Sequence, residues 1–154
     1  MRQVFPIIPA SSGPFWFLGG LSVLLVGLLI LFACLAYSSR HVKFEVSAEG
    51  LRITGDIYGR MIPAQALAAD QTRAVDLTRD REHRPSWRTN GAGLPGYKAG
   101  WFRLVNGEKG LVFVTNPKSV VFIPTQQGYS VLLSVAQPDE FVQAIRQIAA
   151  RFRN

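Results

Sequence analysis

GWFRLVNGEKGLVFVTNPKSVVFIPTQQGYSVLLS, residues 100–134, decides the fold. Short apolar runs recur along it, each ended by turn residues, which is the signature of strands. Gly100–Val105 and Gly110–Thr115 flank Asn106-Gly107, whose two residues tolerate positive φ and so predict a hairpin. Asn116-Pro117 turns the chain into Val120–Pro124, and Gln126–Gly128 turns it again into Tyr129–Ser134. The expectation is a run of antiparallel strands.

The same pattern extends upstream. Lys43–Val46, Leu51–Thr54, Ile57–Ile62 and Ala74–Thr78 read as strands, and Pro63 opens a short helical piece over Pro63–Ala69. Downstream, Pro138 begins a helix whose Asp139 and Glu140 suit its positive end. Phe141, Ile145, Ile148 and Phe152 recur at helical spacing and form one apolar stripe. Such a stripe packs on a core. The fold class is therefore mainly β: a small barrel or sandwich closed by one C-terminal helix.

Ahead of this domain, Phe15 to Tyr37 is an apolar run without a charged side chain. As a helix it reaches about 34 Å, enough to cross a hydrocarbon core of about 30 Å. Phe15, Trp16 and Phe17 at one end and Tyr37 at the other suit the two interfaces. A cleaved signal peptide is the first competitor, but the run is too long and Arg2 alone makes a poor basic n-region. A lipoprotein anchored at Cys34 is the second; Phe32 is too bulky for a lipobox and the run continues past the cysteine. Arg40, Lys43 and Arg52 against Arg2 favour a cytoplasmic soluble domain by the positive-inside rule, in a bacterial inner membrane. The expected layout is a tail at 1–14, a membrane helix at 15–37, a linker at 38–43 and one domain at 44–154. Fully extended, the linker spans roughly 20 Å, which would hold the domain near the bilayer.

The chain carries 17 Lys and Arg against 10 Asp and Glu, a net charge of +7. That suits anionic lipid or another acidic partner, and it equally suits ordinary solvation of scattered charges. With Cys34 as the single cysteine, no intrachain disulfide and no cysteine-based metal site can form. His41 and His83 lack neighbours at metal-ligand spacing, and no nucleophile motif is present. The expectation is no catalytic residue, no metal and no cofactor. Gly91-Ala92-Gly93-Leu94-Pro95-Gly96 matches G-x-G-x-x-G, but aromatic residues and an Asn-Gly hairpin follow where a dinucleotide site needs a helix. A tight turn explains it better.

Thr78 to Lys98 reads as a long connection, and loops of that length are usually functional or disordered. Basic residues interleave there with aromatics, while Arg79-Asp80-Arg81-Glu82 also suggests self-satisfied ion pairs. The candidate interaction residues are Arg79, Arg81, Arg84, Trp87, Arg88, Asn90, Tyr97, Lys98 and Trp101.

The stretch Trp87 to Leu104, with its Gly93-Leu94-Pro95-Gly96-Tyr97 turn, resembles the bacterial pleckstrin-homology-like family. So do Phe113-Val114-Thr115-Asn116 and Val121-Phe122-Ile123-Pro124-Thr125. The resemblance covers Val42 to Arg151. It implies a strongly bent antiparallel sheet of about seven strands closed by a helix. It also implies a domain that often follows membrane helices, and no enzymatic activity. Eukaryotic relatives bind phosphoinositides through basic residues between their first two strands. Here that connection is Ser47-Ala48-Glu49-Gly50, short and acidic, so no such residues carry over. The expected function is a membrane-anchored, non-catalytic module binding a protein partner. A module sensing or orienting on anionic lipid head groups through 79–98 is the alternative, and nucleic acid is disfavoured.

Overall fold

The computed structural model describes residues 13–153, and the chain divides between Ser38 and Ser39 into two units. The expected tail falls almost wholly outside the described residues. The side chains of Arg40, His41 and Phe152 also lie outside what is described.

The first unit is one helix, α1 (Gly13–His41). Phe15–Cys34 is long and apolar enough to cross a membrane, with a mean hydropathy of 2.6 and no buried residue. Its one described hydroxyl in mid-run, Ser22 Oγ, donates to the Leu18 carbonyl at 2.8 Å, so it needs no water. A helix apolar on every side needs apolar surroundings, not water. It fits a membrane anchor; a signal sequence shares the signature. The helix runs on to His41, so residues 38–41, expected as a linker, extend it instead, and Val42 alone separates it from the first strand.

The second unit is built from β1 (Lys43–Ser47), β2 (Gly50–Thr54), β3 (Met61–Pro63), β4 (Arg73–Val75), β5 (Pro85–Leu94), β6 (Tyr97–Leu104), β7 (Lys109–Val114), β8 (Val120–Pro124), β9 (Ser130–Ser134) and α2 (Pro138–Arg153). β1-β2-β3 form an antiparallel sheet, and a second sheet has the order β4-β8-β9-β7-β6-β5. The mainly β architecture with its closing helix is as expected, with nine strands in place of about seven.

One pairing departs from the antiparallel expectation. β9 lies between β7 and β8 and runs parallel to β7, with Leu111 opposite Val131 and Phe113 opposite Leu133. The segment 116–119 therefore crosses the end of β9. Ser134 Oγ pins the crossing, accepting from the N–H of Thr115 and of Asn116 and donating to the Asn116 carbonyl.

The central strands are covered on both faces. Leu111, Phe113, Val121, Ile123, Val131 and Leu133 point into a core shared with Leu51, Ile53 and Ile62 of the first sheet and with α2. Val112, Val114, Val120, Phe122 and Leu132 point the other way, into a second cluster with Phe102, Leu104 and Leu77. Burial on both faces explains why these strands read as unbroken apolar runs, not alternations. On α2, Val142 joins Ile145 and Ile148 in the core, with Phe141 half-buried beside them. The Arg146 guanidinium donates to the carbonyl of buried Thr72 at 2.9 Å and ties the helix down.

Several boundaries move for local reasons. The strand expected at Ile57–Ile62 begins at Met61, because Gly55 has φ +90° and 55–60 is a turn closed by Ile53 N–H to the Arg60 carbonyl. Pro63–Ala69 gives two 3-10 turns, Ala64–Ala66 and Ala69–Gln71. The strand expected at Ala74–Thr78 ends at Val75, where the Asp76 carboxylate takes the N–H and hydroxyl of Thr78. At Asn106-Gly107 the hairpin forms, but only Gly107 takes positive φ. The largest correction is the connection Thr78–Lys98: from Pro85 on it is β5 and the start of β6, paired from Pro85 opposite Leu104 to Leu94 opposite Tyr97.

Ile145 is fully buried in the core on α2. Ile145→Ala should cost about 2–5 kcal/mol. Urea unfolding followed by circular dichroism checks this, and an unchanged midpoint would show that α2 does not close the core.

Candidate functional site

The β5–β6 hairpin collects most of the candidate residues, and glycine sets its shape. Gly91 and Gly100 sit opposite each other with φ of +154° and +112°. A Cβ on Gly91 would run into the Ala99 carbonyl, and one on Gly100 would lie 2.5 Å from the Asn90 carbonyl, so both strands need glycine there. Register shifts between Pro85 and Trp87 and between Arg88 and Asn90 bend β5 further. Gly91 and Gly93 of the G-x-G-x-x-G run thus lie within a strand, and Gly96 makes the tip at φ +77°. A strand follows, not a helix, so no phosphate cradle exists here.

Because β5 bends, both of its halves line one cleft of about 550 Å³, with Trp87 and Arg88 from one half and Gly93 and Leu94 from the other. Phe102 also lines it. Lys98, Pro85 and Leu94 also border a second cleft of about 330 Å³, whose apolar lining includes Leu77, Val114 and Pro117. The two clefts adjoin through these three shared residues and together are the hairpin groove. No Asp or Glu lines either, whereas Arg84, Arg88 and Lys98 do.

These cations do different work. Arg84 is committed: Nε donates to the Leu77 carbonyl at 2.9 Å and Nη2 to the Thr78 carbonyl at 3.0 Å, which holds the 76–84 segment in place. Arg88 and Lys98 make no hydrogen bond or ion pair among the described residues. Trp87 is 73% exposed.

Asn90, Tyr97 and Trp101 face the opposite side of the hairpin. The Tyr58 hydroxyl donates to Asn90 Oδ1 at 2.9 Å, and the Tyr97 hydroxyl to Asp56 Oδ2 at 3.0 Å. Together they tie the 55–60 turn to the hairpin and join the two sheets. Trp101 stands edge-on to Tyr129, with the Arg60 guanidinium 4.8 Å and Lys109 Nζ 4.3 Å from its ring centroid. Those cation–π contacts attract both exposed cations to the ring face. Sequence reasoning missed Arg60 and Lys109, since neither lies near Trp101 in sequence or in a basic run.

Arg79 and Arg81 are exposed outside both clefts. The ion pairs suggested by their alternation with acids are absent among the described residues. Asp80 instead faces His83, which is half-buried, not a plain surface residue: its Nδ1 lies 2.8 Å from Asp80 Oδ2. The ring stands edge-on to Phe122, and Nε2 is 3.4 Å from an Arg73 Nη. With the proton on Nδ1, the ring donates to Asp80 and accepts from Arg73. Burial pushes the Asp80 carboxyl up, but the hydrogen bonds from the His83 ring and backbone outweigh it and leave its pKa below the usual value. Among the described residues no three His, Cys, Asp or Glu side chains gather in one place.

A carboxylate whose pKa is depressed by folding stabilises the fold above its unfolded pKa and loses that contribution as pH falls through the folded value. Asp80→Asn should therefore destabilise at pH 6 by on the order of 1 kcal/mol, given its partial exposure. The gap to wild type should shrink once pH drops below the ordinary value of 3.8. Urea midpoints of both proteins at pH 6 and pH 3 measure it; an equal gap at both would remove the assigned role.

No curated protein and no solved structure matches the chain. The family model described as a bacterial PH domain matches residues 42–149, more than half of its 154 residues. That match spans β1 through most of α2, the two sheets and the helix that closes them. The chain belongs to the bacterial PH domain family.

Proposed function

We propose that this protein is a membrane-anchored, non-catalytic PH-like module that engages a protein partner through the β5–β6 hairpin. One observation supports this most. The hairpin groove combines an apolar lining, an exposed tryptophan and two unengaged cations, with no carboxylate to neutralise them. Tryptophan and arginine are the residue types most often found at the energetic centre of protein interfaces. The structural bonds of Arg84, Asn90 and Tyr97 make them supports of the site; Trp87, Arg88 and Lys98 are its contacts. Arg79 and Arg81 belong to its basic surroundings, and Trp101 stiffens the hairpin from behind.

The alternative is an anionic lipid surface. The same two cations favour it, each contributing about 1 kcal/mol near a charged membrane. Recruitment does not require that energy if α1 is the anchor, so lipid would orient the domain, not localise it.

A photo-crosslinking residue in place of Trp87 should yield a protein adduct in native membranes, and one at Gln143 on α2 should not. Equal adducts, or none, would remove the hairpin as the contact surface. A C-terminal fluorescent reporter should be active and alkaline phosphatase at the same place inactive, given Arg40, Lys43 and Arg52 after the run. The reverse pattern would place the domain outside the cytoplasm.

A further inference from the structure

We infer that the groove recognises an extended acidic–apolar segment of another protein, added as a strand along the free edge of β5. The inference rests on the protein-binding reading above and goes beyond it by naming the chemistry of the partner.

Three features converge. First, β5 is the outermost strand of the six-stranded sheet. Along it, only the side facing β6 carries main-chain hydrogen bonds among the described residues, so the other row of N–H and C=O groups is open. Past the second bulge, Asn90 to Leu94 pair with β6 residue for residue without a further shift, so this part, though bent at Gly91, can template another strand. Second, charge is one-sided. Arg88 and Lys98 border the groove unpaired, and no acid lines it, which complements a carboxylate-bearing partner. Third, the smaller cleft, at about 330 Å³, lies at the low end of ligand-pocket sizes and is walled by Leu77, Leu94, Val114 and Pro117. It can take an apolar side chain from the added strand.

A strand supplies all three contacts at once. Side chains two residues apart share one face, so a carboxylate can meet Arg88 or Lys98 while its neighbour fills the cleft. The main chain meanwhile satisfies the open edge, as in other cases of strand addition. A lipid head group would use the cations but leave the edge unpaired, which is why the observations favour a peptide.

The test uses the full chain in phosphatidylcholine nanodiscs and a phage-displayed library of random ten-residue segments. Selected segments should carry Asp or Glu two positions from Leu, Ile or Phe. The double variant Arg88→Glu with Lys98→Glu should select Lys or Arg in the acidic position instead. A synthetic selected peptide should lose about tenfold or more in affinity for that variant. It should regain binding when its own acid is changed to Lys, which also shows that the variant is folded. Methylating alternate amides on its pairing edge should weaken binding to wild type by a similar factor. Selection without acidic bias, or selection unchanged by the charge reversal, overturns the inference. So does the absence of any selected peptide, including the case in which phosphatidylglycerol vesicles float the chain in an Arg88- and Lys98-dependent way. If a partner still crosslinks at position 87 while no peptide is selected, the binding module stands and only the acidic strand is lost.

Discussion

Everything in the domain depends on burying β7, β9 and β8 on both faces. Leu111, Val112, Val121, Val131, Leu132 and Leu133 are sealed, each contributing about 1.5–3 kcal/mol of transfer free energy as an upper estimate. A sheet covered on one side could leave its second face to polar residues. Here both faces are apolar, so each must find its own cover. α2 and the β1-β2-β3 sheet cover one. The 76–85 segment covers the other, with Leu77 pressed in, its N–H on the Pro117 carbonyl and Arg84 clamping the segment's own carbonyls. The groove exists because that second cover is only a segment of chain, and it stops short of the hairpin tip.

Much of this was legible in the sequence because it rests on local signals. The strands from Gly100 onward, the Asn106-Gly107 hairpin and the α2 stripe all follow from turn chemistry and periodicity over a few residues. β5 was not legible for the same reason. Ser86, Arg88, Thr89, Asn90 and three nearby glycines give no apolar alternation, because this is an edge strand whose outer side meets solvent and whose inner side must leave room for a groove. Its strand character comes from pairing with β6, a tertiary effect that overrides local propensity. The parallel contact of β9 with β7 was equally invisible, since a crossing at 116–119 and a plain turn there have the same composition.

The candidate site divides along the same line. The sequence placed aromatic and basic residues together, and most of them do share one hairpin. It could not tell which were already spent. Arg84 looks as free as Arg88 in the sequence, yet two backbone carbonyls hold it. Asp80, read as a partner for arginine, is taken by His83.

That division has a physical consequence for where binding energy can come from. A cation already bonded to carbonyls has its solvation replaced within the protein, so a ligand gains little from meeting it and would pay to displace those bonds. An unengaged cation at the rim of an apolar cleft remains solvated, and a partner that brings a carboxylate exchanges water for a charge-assisted bond in surroundings of lower dielectric. The advantage is largest where apolar surface is removed from water at the same time, because the two cost one loss of translational freedom. In this domain Arg88 and Lys98 are the cations that meet both conditions, and Trp87 stands beside them, largely exposed. By consuming Asn90 and Tyr97 in its own support, the curled hairpin leaves Trp87 and Arg88 exposed and Lys98 half-buried at the groove.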